Sequence, residues 1–170
     1  ALARHALPLN QYKALRHKNF YRELDGLLDR IDQTQGFEPM LTELLEQVTV
    51  SFAELIGLDS ARLYRDEGEG YVVLRSFGAK GSKILGFKVE KGYAVLRDIP
   101  PDQVAYFPPG DPRLDPALEQ ALGVDHFAAF LVGPTRDYIA AFGLSDDADV
   151  EEALLVPVSY THLTLPTNRE

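Results

Sequence analysis

The chain has 170 residues, 45% of them hydrophobic and 25% charged, which is room for one ordinary domain with flanking segments and excludes disordered and collagen-like classes. Seventeen Lys and Arg against 26 Asp and Glu leave a formal net charge of −9, so no basic stripe is available to displace counterions from nucleic acid or to dock on anionic lipid. Cysteine is absent, which removes disulfides, thiolate metal sites and thiol catalysis together. No run of about 20 apolar residues could span a bilayer and no secretory signal is legible, so the expected location is the cytoplasm.

Residues 1–10 have no period and contain Pro8, and read as a linker. Residues 11–33 read as a connecting helix: Phe20, Leu24, Leu27, Leu28 and Ile31 recur at steps of three and four, with Arg22, Glu23, Asp25, Asp29 and Arg30 opposite. Phe20, Leu24, Leu27 and Ile31 also have the 4-3-4 spacing of a coiled-coil seam, so the stripe is either a dimer surface or a face packed on its own domain. Gln35-Gly36 ends this helix, and Pro39 falls in the first turn of the next.

That second helix carries one wide apolar face over five turns, made by Phe37, Met40, Leu41, Leu44, Leu45, Val48, Phe52, Leu55 and Ile56. Glu38, Glu43, Glu46 and Glu54 lie outside the face, and Gly57 is its expected stop. The period then changes from 3.6 to 2. Strands are predicted over Ala61–Arg65 and Tyr71–Phe77, joined by the polar loop Asp66–Gly70, with a third over Lys83–Val89. Gly92-Tyr93, Pro100-Pro101, Pro108-Pro109-Gly110 and Asp111-Pro112 then punctuate a stretch of weak period. Within it, Pro116–Leu122 reads as a short helix capped by Asp115 and closed by Gly123. His126–Val132 and Tyr138–Leu144 are strands apolar on both faces, which a half-exposed antiparallel strand would not be, so the pair is expected to be central and covered twice. A last helix begins near Asp149.

The chain begins at Ala1 rather than Met, which reads as an internal cut, and the natural product is expected to be longer. From Val158 the sequence Val-Ser-Tyr-Thr-His-Leu-Thr-Leu-Pro-Thr is what GTC TCT TAT ACA CAT CTG ACG CTG CCG ACG encodes, a sequencing-library adapter. Residues 158–170 are therefore read as a non-native tail, against the alternative of a natural strand-prone end. On that reading His162, one of four histidines, carries no function.

Helix, long helix, three strands, a Pro-rich region with a short helix, two strands and a closing helix is an order that resembles the GAF domain, a small-ligand-sensing relative of the PAS domain. The likeness covers about residues 34–155 and is carried by the apolar second helix, the strand Ser60-Ala61-Arg62-Leu63-Tyr64 directly after it, and the hairpin Ala128–Pro134 with Tyr138–Leu144. It implies an α+β fold: a twisted antiparallel sheet of five to six strands, the N- and C-terminal helices on one face, and a Pro-rich lid with a short helix on the other. It also implies a ligand pocket beneath that lid. Covalent bilin attachment and free methionine sulfoxide reduction, both known in this family, need a Cys that the chain lacks. The Asn-Lys-x-n-Phe-x3-Asp-Glu motif of cyclic-nucleotide binders is also missing: Lys18-Asn19-Phe20 has the wrong order and place.

General catalytic patterns are weak. Asp125-His126 admits an acid–base reading, but a turn followed by a strand start accounts for both. No His, Asp or Glu spacing matches a metal site, and Gly78-Ala79-Lys80-Gly81 lacks the phosphate-loop pattern. The candidate ligand-binding residues are Tyr93, Arg97, Tyr106 and Phe107 in the lid, with Phe127, Ala129 and Leu131, or the opposite set, as the floor. Packing of a small domain would use the same residues. The expected function is a non-enzymatic sensory or regulatory module that passes a ligand- or dimer-dependent signal to a missing output domain. That domain would be a histidine kinase, a cyclic-dinucleotide enzyme, a phosphatase or a transcription activator. The alternative is a ligand-free dimerisation module with a filled core. An unpaired apolar stripe marks a partner surface, so sedimentation of the chain is expected to give a homodimer, and Leu24→Glu a monomer. Identical monomeric behaviour of both would end the dimer reading.

Overall fold

The computed structural model describes Arg22, Gly26 and residues 36–78, 81–101, 103–123, 126–132, 136–146 and 148–154. The seam residues Phe20, Leu24, Leu27 and Ile31, the linker, Asp125 and the tail from Val158 lie outside the described residues. Helix α1, Phe37–Ile56, leads into strands β1, Leu58–Asp66, and β2, Gly70–Gly78. A 3-10 turn, Gly81–Ile84, precedes β3, Lys88–Glu90; helix α2, Ala94–Arg97, precedes β4, Ala105–Phe107. Helix α3, Pro116–Leu122, is followed by β5, Phe127–Val132, β6, Tyr138–Leu144, and helix α4, Val150–Ala153. The strands form one antiparallel sheet in the order β3-β2-β1-β6-β5-β4, so the first long strand and the last lie side by side at its centre.

Both faces of these central strands are buried, and each face has its own core. On one side Met40, Leu41, Leu44 and Leu45 of α1 and Ala153 of α4 pack on Ala61, Leu63, Phe130, Val132, Ala140 and Phe142. Burial of one such Leu or Met is worth about 2–3 kcal/mol. Phe37, Val48, Phe52, Leu55 and Ile56 belong to the same helix by their backbone. Thr49 is buried in this apolar helix, and its hydroxyl donates to the Leu45 carbonyl at 2.8 Å, which removes the cost of an unpaired polar group. Glu38, outside the apolar stripe, ties the first turn to the sheet. It accepts from the Tyr138 hydroxyl at 3.1 Å and faces the guanidinium groups of Arg65 and Arg75 at 3.8 and 3.7 Å.

On the other side, Val95, Leu96, Ile99, Leu114 and Leu122 of the segment between β3 and β5 pack on Tyr64, Tyr71, Val73, Phe107, Phe127, Ala129, Ile139 and Ala141. The pleat therefore sends Phe127 and Ala129 to the lid and Phe130 and Val132 to the helices, settling which set forms the floor.

The third strand is shorter and later than the predicted Lys83–Val89. Gly86 has a φ of 81°, and Phe87 N–H donates back to the Ile84 carbonyl at 3.0 Å, so the chain turns before it can pair as a strand. Strand β4 and helix α2 arise inside the stretch of weak period, because three or four residues are too few to display one. The α3 cap is as predicted: the Asp115 side chain accepts from the N–H groups of Ala117 and Leu118, and Gly123 closes the helix in the left-handed region. Among the described residues no helix is long and apolar enough to cross a membrane.

Two glycines are fixed by geometry. Gly57 ends α1 at a φ of 77°, and a Cβ there would stand 2.5 Å from that of Ala148, which holds the end of α1 against the connection from β6 to α4. Gly78 ends β2 at a φ of 95°, and a Cβ would meet the Asp59 carbonyl oxygen at 2.3 Å. Because both the φ and the backbone clash oppose a side chain, Gly78→Ala is expected to lower unfolding free energy by about 2–3 kcal/mol, read from denaturant titration. A change below about 0.5 kcal/mol would contradict the geometry.

Candidate functional site

The lid is short pieces of chain pinned at its rim by polar contacts. Lys91 pairs with Asp66 at the tip of the β1–β2 hairpin, and its ammonium stands 4.8 Å above the Tyr71 ring. That contact holds the Asp66 carboxyl below the usual carboxylate range. Tyr93, just before α2, donates its hydroxyl to Glu119 Oε2 of α3 at 2.6 Å and accepts from the Asp115 N–H at 3.1 Å. Burial first, and the Glu119 contact second, push the Tyr93 hydroxyl far up. Arg113 grips both Asp111 carboxylate oxygens at 2.9 and 2.7 Å, donates to the Tyr106 carbonyl at 3.0 Å and lies 4.5 Å over the Phe107 ring.

Two grooves open at the edges of this lid. One, of about 410 Å³, is lined by residues of β3 and its flanks together with Tyr93, Asp115 and Leu118. The other, of about 370 Å³, lies between α2, the chain at 98–100 and β4, and is lined by Tyr106, Phe107 and Arg113 among others. Grooves of this size match small-molecule sites.

The residues expected to bound a single concavity are thus divided. Tyr93 lines the first groove, and Tyr106 and Phe107 line the second. The lid closes over its floor with its own aliphatic side chains: Phe127 and Ala129 are packed in the lid-side core and line neither groove. Arg97 is exposed; it grips Asp98 at 2.9 and 3.1 Å and lines neither groove. Tyr106 packs its ring against the helix-side core, because strand β4 alternates and Phe107 takes the lid side. Its hydroxyl shares a 2.7 Å hydrogen bond with His126 Nε2, which gives this histidine a structural partner.

Sequence reasoning missed the strongest polar feature of the lid side. Arg62, in the centre of β1, is 2% exposed. Its guanidinium carbon lies 5.4 Å from the Tyr64 ring and 5.3 Å from the Phe127 ring. Both Nη atoms are buried without a hydrogen-bond partner, as are the hydroxyls of Ser60 and Ser76. Burial pushes the Tyr64 hydroxyl up to about 12; the Arg62 charge works against that and the Glu119 charge with it. The available signal was one Arg in the middle of a strand otherwise built to be covered on both faces. Among the described residues no group of three or more His, Asp or Glu is arranged for a metal ion.

No family model matches the sequence, and no curated protein does. Solved structures do match. The GAF domain of a phosphoenolpyruvate-protein phosphotransferase from Coxiella burnetii is 15% identical, over 87% of this chain and 89% of that one, at a TM-score of 0.57. The A. aeolicus Nlh2 GAF domain in an inactive state is 15% identical, over 91% and 94%, at 0.55. The phycoerythrobilin-bound GAF domain from a cyanobacterial phytochrome is 12% identical, over 87% and 93%, at 0.53. The chain has the GAF fold.

The Asp111–Arg113 clip gives the stability of the fold a pH dependence. The side-chain and then the backbone N–H of Arg113 hold the Asp111 carboxyl at about 2, against 3.8 for an ordinary Asp. A depressed carboxyl stabilises the fold fully above its unfolded value and loses that contribution as pH falls through the folded one. Asp111→Asn is therefore expected to melt below the wild type above about pH 4, with the difference vanishing as pH falls towards about 2. A difference unchanged across that window in thermal melts would refute the clip.

Proposed function

We propose that this GAF-fold chain is a sensory or regulatory module without catalysis of its own, in which a small molecule bound on the lid side of the sheet changes how the terminal helices are held. The carrying observation is the asymmetry of the two covers. Among the described residues, helices α1 and α4 cover one face with an apolar core, whereas the other face is covered by short segments with an open groove beside Tyr93. A cover of short, rim-pinned segments opens at lower cost than packed helices do, and ligand sites are drawn from such regions. The bilin held by the phytochrome GAF domain supports the reading that this fold accommodates a guest. In this chain a thioether to such a guest is ruled out by the absence of Cys.

Transmission follows from connectivity. Ser145 N–H donates to the Gly57 carbonyl at 2.8 Å, so the end of α1 and the start of the segment leading to α4 move together. A ligand shifts the helices only if it binds one arrangement better than the other. The flanking helix with Phe20, Leu24, Leu27 and Ile31 would carry that difference into a homodimer and an output domain. A second reading, a ligand-free dimerisation module, is favoured by the packing of Phe127 and Ala129, 1% and 0% exposed.

A thermal-shift screen over nucleotides, aromatic acids and haem separates the two. A ligand at about 100 times its Kd stabilises the domain by about 2.7 kcal/mol, a rise of several degrees. Gly92 lines the first groove and has nothing within 4 Å of where a Cβ would stand. Gly92→Phe is expected to abolish the shift while leaving the unliganded melting point unchanged. No shift from any compound, with a melting point that rises with protein concentration, would favour the dimerisation module.

A further inference from the structure

Resting on the reading that a small molecule binds on the lid side, we propose that Arg62 selects a ligand bearing a carboxylate, gripped by the two Nη donors and joined by the hydroxyls of Ser60 and Ser76. Arg62 and Ser76 are direct cross-strand partners on β1 and β2, and Ser60 is two residues along β1, so all three stand on one face of the sheet. That face is the lid side, where Tyr64 and Phe127 flank the guanidinium.

Four buried donor atoms on one face of two neighbouring strands, all without a partner, are rare in a folded protein and mark a missing acceptor. Among the described residues no carboxylate pairs with Arg62. The aromatic rings attract the cation but accept none of its N–H bonds in the plane of the fork. Across the strands, the row that carries Arg62 is made of short side chains. Its partners are Ser76 on β2 and Ala141 on β6, and Ala141 is opposite Ala129 on β5. None of these partners carries a side chain longer than a hydroxymethyl group.

The chemistry favours a carboxylate over a phosphate. Two Nη atoms of one guanidinium form the planar fork that matches a carboxylate in two parallel hydrogen bonds. One charge balances one charge, whereas a phosphate dianion would add a surplus negative charge to a layer whose field already includes Glu119. The groove beside Tyr93 borders the same layer, because Tyr93 bonds Glu119 and the Glu119 charge acts on Tyr64 next to Arg62.

Thermal denaturation of the 170-residue chain with acetate and benzoate tests this, against acetamide, benzamide and inorganic phosphate. A carboxylate is expected to raise the melting point by several degrees in proportion to the logarithm of its concentration, its amide to do nothing, and Arg62→Met to remove the response. Unliganded Arg62→Met is expected to melt at or above the wild type, because a buried charge with no counter-ion is lost. Arg62→Lys, which keeps the charge without the fork, is expected to weaken benzoate binding about tenfold and serves if the Met variant does not fold. Equal response to carboxylate and amide, a response retained in Arg62→Met, or no response to either carboxylate would overturn the proposal. Response to phosphate alone would overturn the carboxylate assignment. A neutral compound from the wider screen that stabilises wild type and Arg62→Met equally would sink the carboxylate and leave the sensory reading standing.

Discussion

Central strands that are apolar on both faces have to be covered twice, and the rest of the architecture follows from that requirement. β1 and β6 occupy the middle of the sheet, and consecutive residues on them, such as Leu63 and Tyr64, enter different cores. One pair of helices covers only one side. The chain between β3 and β5 must therefore fold back over the other, although it has only three- to seven-residue elements with which to do so. Its aliphatic residues give it adhesion, and its position is set at the rim by Asp66–Lys91, Tyr93–Glu119 and Asp111–Arg113. Each rim contact is individually modest when half exposed. The lid is held by several of them at once and by none decisively.

The two cores differ in chemistry as well as in cover. The helix side is built from Leu, Met, Ala and Phe, and the polar Thr49 buried there bonds to its own helix. The lid side contains a guanidinium, two tyrosines, Glu119 and two serine hydroxyls. Burying an unpaired guanidinium costs several kcal/mol in desolvation. These polar groups lie on the face covered by the shorter elements, and the all-apolar packing lies under the long helix.

Among the described residues, α1 is tied to the sheet near both of its ends. Glu38 joins the first turn of α1 to β1, β2 and β6 at once, and Gly57 holds the other end of α1 against the connection to α4.

Among the described residues, the chain by itself determined the elements long enough to repeat their pattern. The five-turn apolar face of α1, the stop at Gly57, the Asp115 cap and the two-faced strands β5 and β6 are all local signals, set by side-chain period and by backbone preferences at Gly and Pro. The order of those elements was enough to suggest the fold. Tertiary structure alone decided the rest. Whether Phe127 or Phe130 faces the lid depends on which cover each face meets, and a strand apolar on both sides carries no such information. The turn at Gly86 and strand β4 exist because they have β2 and β5 to pair with. Tyr106 was assigned to the lid from its neighbours in sequence, but alternation on β4 turns its ring to the helix side. Arg62 read as one charge in a strand, since desolvation and the lack of a partner are properties of what surrounds a side chain, and its surroundings come from three other strands, two of them far away in sequence.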